Sequence, residues 1–316
     1  MPMRLLPLGT GAGRPTRHRQ TTSILVESQS PTQGTVRALV DCGEATQHRL
    51  MSQGISPNSL DAVCCTHLHG DHVLTGLPGL LGTMGMDDRQ RPLRLIGPAG
   101  LAEFLQHLSA TPALNITFPL EVDQLDPDGL HPERPQPLEP IGQVELAAAP
   151  LDHRVPTIGF RLSEPRGSGG VDLDRVDRLG VPRGPLLGRL QRGEPIQTPA
   201  GRSVTPGEVL GSPQPGTSVA FCFDTRPCRG ALALAAGADL LVHDATFATA
   251  EAELAERYGH STAAQAALVA RDAGAQRLLL THFSARYRRL EDLRSEAAAV
   301  HPSAELAHEL SWLDLP

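Results

Sequence analysis

Apolar residues along this chain follow two alternating spacings, one typical of strands and one typical of helices. Short β-branched and leucine-rich runs bounded by turns predict strands over residues 4–8, 22–27, 36–41, 60–65, 93–97 and 144–149. Helical spacing lies between several of these runs, over residues 44–53, 74–85 and 101–108. The alternation predicts a layered α/β fold in which helices cover a sheet.

The same alternation returns in the C-terminal third of the chain. Strands are predicted over residues 218–223, 239–242 and 277–280, and helices over residues 231–236 and 248–257. Ser261 is the predicted N-cap of a further helix. Residues 126–140 are dense in proline, and we predict a surface loop there.

Residues 163–212 have little of this apolar periodicity and are rich in glycine, proline, arginine and aspartate. Residues 161–202 contain eight arginines and five acidic residues, a local excess of three positive charges. We interpret the segment as an insertion that projects from a single domain spanning residues 1–316, and not as a linker between two domains. Disorder is the alternative for such a composition.

Composition constrains partners and location. The chain has 316 residues, of which 40% are hydrophobic, and a formal net charge of −7 without any lysine. An acidic total disfavours nucleic-acid binding unless a local basic patch supplies it. No apolar run of about 18 residues occurs, so we expect no membrane partner. Five cysteines without a C-x-x-C pair, and an N-terminus unlike a signal peptide, predict a cytoplasmic location.

The strongest chemical signal directly follows the strand predicted at residues 60–65. The motif reads Thr66-His67-Leu68-His69-Gly70-Asp71-His72. Imidazole and carboxylate are ligands that zinc takes in proteins. In an extended loop His67 and His69 point to one side, and a turn at Gly70 lets Asp71 and His72 face a second position. The motif can therefore begin two adjacent metal sites; a histidine-rich surface loop without metal is the alternative.

Further histidines and aspartates stand at the ends of other predicted strands. They are His153, Asp224, His243, Asp244 and His282. Each alone is more often structural, but their recurrence at strand ends predicts that they converge.

A glycine-rich loop over residues 9–20 carries three arginines, including Arg17 and Arg19. Such a loop suits an exposed, phosphate-attracting surface, and a merely solvated loop explains it equally well.

Together these motifs resemble the ribonuclease Z (tRNase Z) family of the metallo-β-lactamase superfamily over essentially the whole chain. Besides the histidine motif, the resemblance rests on Leu-Asp-His-Arg-Val-Pro at 151–156, Phe-Asp-Thr-Arg-Pro-Cys at 223–228, His-Ser-Thr at 260–262 and Thr-His-Phe-Ser-Ala-Arg-Tyr at 281–287. It implies a four-layer αββα sandwich and a zinc-dependent endoribonuclease. Such an enzyme removes the 3′ trailer from precursor tRNA, leaving a 3′-hydroxyl on the tRNA and a 5′-phosphate on the trailer. The short bacterial-type form, which this chain resembles, works as a homodimer.

The resemblance also implies roles for particular residues. Two zinc ions would bind per chain, the first held by His67, His69 and His153, the second by Asp71, His72 and His282, with Asp224 between them. Asp71 would accept a proton from the attacking water, and His260 would protonate the leaving 3′-oxygen. Arginines of the loop and of the insertion, which resembles the family's flexible arm, would hold the tRNA: Arg17, Arg19, Arg183, Arg189 and Arg192.

Two segments depart from the family pattern without removing a predicted ligand. The loop usually written Pro-x-Lys-x-Arg-Asn reads Pro-Thr-Arg-His-Arg-Gln at 15–20, and the usual His-Glu-Ala-Thr reads His-Asp-Ala-Thr at 243–246. They raise the questions of how the tRNA 3′ end is recognised and whether an acidic residue orients His260. A hydrolase of small esters, thioesters or phosphodiesters and a non-catalytic RNA-binding protein are the alternative functions.

Overall fold

The computed structural model of the protein describes residues 3–30, 34–110, 114, 116–165, 169–211 and 216–315. The chain divides into two compact units. The larger, here called the core unit, comprises residues 1–163 and 217–316; the smaller, residues 164–216, is called the arm. The position 212 that we predicted as the end of the insertion lies outside the described residues.

The first part of the core unit contains six strands and three helices. They are β1 (Arg4–Gly9), β2 (Ser23–Ser30), β3 (Gly34–Val40), α1 (Thr46–Ser52), β4 (Ala62–Cys64), α2 (Leu77–Met86), β5 (Leu93–Pro98), α3 (Leu101–Ser109) and β6 (Leu120–Leu125). The helix predicted from residue 74 starts later, at Leu77, because Gly70–Leu74 forms a separate π-helical turn. Strand β6 was not predicted, since its half-exposed residues lack a clear apolar alternation.

Three strands follow: β7 (Gln136–Ile141), β8 (Val144–Pro150) and β9 (Ile158–Ser163). The prediction of a surface loop over residues 126–140 is therefore wrong at its C-terminal end, where β7 pairs with β8. Pro137 and Pro140 are tolerated because β7 is the edge strand of its sheet, where a missing backbone N–H breaks no ladder.

The described part of the arm has regular structure. It contains α4 (Leu173–Arg178), α5 (Pro185–Gln191), β10 (Ile196–Gln197), β11 (Ser203–Val204) and α6 (Pro206–Val209). Seven buried side chains form a small core of its own: Val176, Val181, Leu190, Ile196, Val204, Val209 and Leu210. Apart from an apolar patch at residues 184–190, these widely spaced residues were not recognised among the glycines, prolines and arginines, because none of the described helices of the arm is longer than two turns.

The rest of the core unit contains β12 (Ser218–Cys222), α7 (Arg229–Ala235), β13 (Leu240–Asp244), α8 (Ala252–Tyr258), α9 (Ala263–Ala273), β14 (Arg277–Thr281), α10 (Glu291–Ala298), β15 (Ala304–Leu306) and β16 (Leu313–Asp314). Ser261 is not the N-cap of α9: Thr262 caps it, in a capping box with Gln265. The Ser261 hydroxyl instead donates to the backbone carbonyl of Thr225.

Two seven-stranded sheets organise the core unit, in the orders β16-β1-β2-β3-β4-β5-β6 and β15-β14-β13-β12-β9-β8-β7. Inward side chains of both sheets, such as Ile24 and Phe221, share one buried cluster, so the sheets face each other. The outer face of the first sheet packs on α1, α2 and α3, and that of the second on α7, α9 and α10. The layers are therefore helices, sheet, sheet and helices, as predicted.

Candidate metal centre

The candidate site lies where several strands of both sheets end. Strands β3, β4 and β5 run parallel, as do β12, β13, β14 and β15, so within each group the carboxyl ends meet at one edge. Asp41 follows β3, the histidine motif follows β4, and His153 follows β8. Asp224 follows β12 and His282 follows β14. The structure thus brings together all seven residues that we predicted as metal ligands.

Unusual backbone conformations orient three of the side chains that follow these strands. Asp41, Asp224 and His282 have φ angles of 57°, 46° and 59°, in the left-handed region that non-glycine residues seldom adopt. Each costs roughly 1–3 kcal/mol and persists only where the surroundings enforce it. Their concentration at one edge of the fold is typical of a functional site.

The first donor group contains His67, His69, His153 and Asp224. His67 Nε2 lies 2.9 Å from His69 Nδ1. The Asp224 Oδ2 atom lies 3.5 Å from His67 Nε2 and 3.9 Å from His153 Nε2. Three ring nitrogens and one carboxylate oxygen therefore surround one point.

The second donor group contains Asp71, His72 and His282. His72 Nε2 and His282 Nε2 are 3.1 Å apart, and Asp71 Oδ2 lies 3.6 and 3.7 Å from them. Asp224 presents its other oxygen, Oδ1, to this group, 3.3 Å from His72 Nε2 and 3.1 Å from His282 Nε2. Its two carboxylate oxygens thus face one donor group each.

Hydrogen bonds to the outer ring nitrogens fix four of these imidazoles. The acceptors are Asp41 for His72, Thr66 for His67, Gly259 for His153 and Thr246 for His282, at 2.6 to 3.0 Å. Thr66 and Thr246 donate their own hydroxyl hydrogens to Asp41 and Asp244, so each accepts from its histidine. Every one of these Nδ1 atoms therefore carries the proton, and every Nε2 lone pair points inward.

This arrangement fits a bound cation. Two buried atoms of the site, His153 Nε2 and Asp224 Oδ1, have no aligned hydrogen-bond partner among the described residues. The lone pairs of His72 and His282 face each other across 3.1 Å, which is unfavourable unless a cation or proton lies between them. In protein metal sites, the ring nitrogen of a histidine ligand that faces away from the metal typically donates a hydrogen bond to a neighbouring group, which orients the ring. The donor set, five imidazoles and two carboxylates, suits zinc.

His260 lies beside both groups, 5.1 Å from the His153 ring and 5.2 Å from the His282 ring. Its Nδ1 donates to Asp244 Oδ2 at 2.8 Å. Burial lowers the pKa of His260, but the Asp244 and Asp224 carboxylates outweigh burial and raise this pKa to about 9. The shorter aspartate at position 244 therefore still orients His260, which answers the question that the sequence raised.

Sequence reasoning missed Asp41 and Thr246 as supports of the site. Asp41 is fully buried and accepts hydrogen bonds from the Thr66 backbone, the Thr66 hydroxyl and His72. It ends a predicted strand, so the pattern that singled out Asp224 could have found it. Thr246 belongs to the His-Asp-Ala-Thr motif at 243–246, but nothing in the sequence shows which ligand it contacts.

The predicted tRNA-holding arginines differ in their surroundings. Arg17 is exposed, whereas Arg19 is half-buried and donates through its Nη2 atom to the carbonyls of Ser284 and Tyr287. The arm arginines are exposed but paired: Arg183 with Asp177, and Arg189 and Arg192 with Glu194. The structure thus gives Arg19 a structural contact, and it gives the arm arginines acidic partners that the charge count did not reveal.

Fold and site together define a class of protein. Residues 190–283 match a model of the beta-lactamase superfamily domain, and residues 3–116 match a model of the anti-Pycsar protein Apyc1. The solved structure of human tRNase Z, short form, aligns over 99% of both chains, with a TM-score of 0.69 and 25% identity. The metallo-beta-lactamase fold protein YhfI from Bacillus subtilis aligns over 99% of this chain and 100% of its own, with a TM-score of 0.68 and 21% identity. The protein has the metallo-β-lactamase fold, and its histidine and aspartate groups form a metal-binding site.

Relatives that match over nearly their full length identify the family within this fold class. A ribonuclease Z from Salinibacter ruber is 45% identical over 100% of this chain and 95% of its own length. A ribonuclease Z from Limosilactobacillus fermentum is 39% identical over 98% of this chain and 97% of its own, and a ribonuclease BN from Cronobacter sakazakii is 39% identical over 97% and 98%. The chain belongs to the ribonuclease Z family.

Two further findings concern the helices and the cysteines. Across the part of the chain that the structure describes, no helix is both long and apolar enough to cross a membrane. All five cysteines carry free thiols, and Cys42, Cys64, Cys65 and Cys222 are buried.

Proposed function

We propose that this protein is a zinc-dependent endoribonuclease that removes the 3′ trailer from precursor tRNA. The observation that carries the proposal is the pairing of a seven-residue donor cluster with a carboxylate-oriented His260. This pairing occurs in a chain whose full length matches enzymes named ribonuclease Z. The products would be a tRNA with a 3′-hydroxyl and a trailer with a 5′-phosphate.

Two zinc ions per chain suit the two donor groups. His67, His69 and His153 would hold one ion, and Asp71, His72 and His282 the other. Asp224 would serve both, which the orientation of its two oxygens supports. When bound, such ions make hydroxide available near neutral pH and withdraw negative charge from the phosphate.

Asp71 would receive the proton of the attacking water in this proposal. Its Oδ2 accepts a hydrogen bond from the Gly13 backbone at 2.7 Å, which fixes the carboxylate beside the second donor group. An ionised carboxylate can accept a proton.

His260 would protonate the leaving 3′-oxygen. With a pKa of about 9 the imidazole is protonated at neutral pH, and Asp244 holds Nδ1 so that Nε2 is available to the substrate. A 3′-alkoxide is a poor leaving group, so a proton donor contributes roughly 10²–10⁴-fold to the rate.

The arm supplies the contact with the body of the tRNA in this proposal. Its arginines Arg183, Arg189 and Arg192 are exposed, and ion pairs at exposed positions contribute little to stability. Phosphates can therefore replace the carboxylates that hold them now. Binding of this kind reads shape and backbone, not base sequence, and weakens with salt.

The proposal also includes that the protein is a homodimer and that it is located in the cytoplasm. Leu74 and Met86, at the two ends of the segment that contains α2, are 38% and 77% exposed, which supports an interface there. Free thiols support a reducing compartment. Light scattering should give a mass of about twice the 33.6 kDa of one chain. A fully active protein with the mass of one chain would contradict the dimer.

The deciding experiment is incubation of the zinc-loaded protein with a 3′-extended precursor tRNA, followed by mapping of the cut. We expect one cut at the 3′ side of the acceptor stem, with the product ends stated above. An RNA hairpin of equal length without the tRNA fold is the matched control and should be cut poorly. Hydrolysis of a small chromogenic phosphodiester without any tRNA cleavage would favour a small-molecule hydrolase.

A further inference from the structure

One exposed aromatic side chain lies close to the metal centre and has no role in the chemistry above. Tyr258, the last residue of α8, is 40% exposed, and it is the only aromatic residue among the large apolar side chains found exposed in the described part of the chain. It stands two positions before His260, and the intervening Gly259 accepts the hydrogen bond from His153. The end of α8 therefore presents an aromatic ring to solvent next to the loop that orients a predicted metal ligand and carries the predicted acid.

Two guanidinium groups accompany this ring. The Cζ atoms of Arg154 and Arg257 each lie 5.7 Å from the ring centroid of Tyr258. Both arginines are exposed, and neither has an ion pair with any residue that the structure describes. The nearby carboxylates Asp152 and Glu256 are instead bound by Arg226. These two cations are therefore free for an anion, unlike the paired arginines of the arm.

The patch formed by Tyr258, Arg154 and Arg257 continues into a groove beside the metal centre. Arg154 and His153 both line this groove, together with Ala99, Asp126, Pro127 and Pro156. The backbone at Gly259 is packed closely against His153 and Arg154, since an added Cβ would lie 2.7 Å from His153 Nδ1 and 3.3 Å from Arg154 Cγ. Arg154 thus connects the groove, the metal centre and the Tyr258 ring.

We infer that Tyr258, Arg154 and Arg257 form a binding site for an unpaired nucleotide next to the cleaved bond. Both guanidiniums lie over the exposed ring, so in this inference they move onto the phosphates of single-stranded RNA and the ring stacks on the adjoining base in their place. The inference rests on the proposed function, because it takes the bound strand to be the unpaired end of a precursor tRNA. It adds a base-stacking contact, whereas the arm provides only backbone contacts.

The test is steady-state cleavage of a 3′-extended precursor tRNA by three variants. Tyr258→Ala should raise KM and lower kcat/KM by about 5- to 100-fold, with a smaller effect on kcat, because one stacking contact is lost. Tyr258→Phe keeps the ring and should remain within about twofold of the unaltered enzyme. Arg294→Ala removes an exposed arginine of α10 outside the patch and is the matched control. A wild-type KM for Tyr258→Ala, or equal damage from the Phe and Ala variants, would overturn the inference.

Substrates with one abasic nucleotide on either side of the cleaved bond locate the stacked base. At one of these positions the abasic change should weaken cleavage by the unaltered enzyme and have no further effect on Tyr258→Ala. Effects that add fully at both positions would contradict stacking on Tyr258. A change of oligomeric state in Tyr258→Ala would assign the ring to a protein interface instead.

Failure of the proposed function remains distinguishable from failure of this inference. If the unaltered enzyme cuts no precursor tRNA, binding of a fluorescent single-stranded pentanucleotide RNA is measured directly by anisotropy. Weaker binding by Tyr258→Ala, again about 5-fold or more, would support the site independently of tRNA processing. Equal binding by both proteins would overturn it.

Discussion

The metal centre and the arm place their charged side chains in opposite environments. At the metal centre His67, His72 and Asp224 are at most 2% exposed, and the outer nitrogens of four imidazoles are held by fixed acceptors. In the arm, Arg183 and Arg189 are exposed and paired with equally exposed carboxylates. In a buried, preorganised cluster, removal of one hydrogen-bond partner of a ligand lowers metal affinity or activity by about 10–100-fold, whereas exposed pairs exchange partners at little cost. Changes at the metal centre should therefore affect the chemical step, and changes in the arm should affect substrate binding.

Asp224→Ala should have the largest effect, because this carboxylate faces both donor groups. We expect metal content to fall from about two ions per chain and activity to fall by well over the roughly 100-fold that removal of an outer partner can cost. Metal analysis by mass spectrometry checks the first result and tRNA cleavage the second. Asp272→Ala, at an exposed aspartate paired with Arg271, is the matched control. Full activity with one ion or none would contradict a two-metal centre.

His260→Ala should lower kcat for precursor tRNA by about 10²–10⁴-fold and leave metal content unchanged. A phosphodiester with a nitrophenolate leaving group needs no protonation, so its hydrolysis should fall much less. The pH dependence sharpens this test. Since the pKa of His260 is about 9 and the protonated form is the acid, kcat of the unaltered enzyme should fall as pH rises through about 9. Equal slowing of both substrates would show that His260 orients the phosphate or the water.

Thr246→Val should have a smaller effect of about 10- to 100-fold on metal affinity. The Thr246 hydroxyl accepts from His282 Nδ1 and donates to Asp244 Oδ1, so valine of the same shape leaves both groups without this partner. Metal competition with a chelator measures the change. Thr83→Val, which removes a hydroxyl that only bonds the Gly79 carbonyl within α2, is the matched control. Unchanged metal affinity in Thr246→Val would remove this residue from the support of the site.

The sequence was most informative where short-range patterns decide the structure. Buried strands such as β4 and β14 have continuous apolar runs, and the His and Asp residues that follow them stand at one edge because neighbouring strands run parallel. The resemblance to the ribonuclease Z family then predicted the four-layer fold. Strand β7 was missed because proline usually excludes a strand, and only the position at the sheet edge, a tertiary property, permits it.

Contacts between distant segments could not be read from the chain. Asp41 and His72 are 31 positions apart, and Thr246 and His282 are 36 positions apart, yet these pairs fix the orientation of the donors. The pairing of the arm arginines was equally hidden, because composition counts charges without showing which of them meet. Local pattern therefore located the donors, and only folding revealed what orients them.

Replacement of residues 164–216 by a short turn is the most direct test of the division of work between the two units. Ser163 and Ser218 are paired across β9 and β12, so a hairpin turn can close the gap without disturbing the sheet. We expect KM for precursor tRNA to rise at least about tenfold, and its salt dependence to weaken, because phosphate contacts are lost. Hydrolysis of the small chromogenic phosphodiester should stay within about twofold, with metal content unchanged. Loss of both activities with the metals still bound would contradict this division, because the arm would then be shaping the metal centre itself.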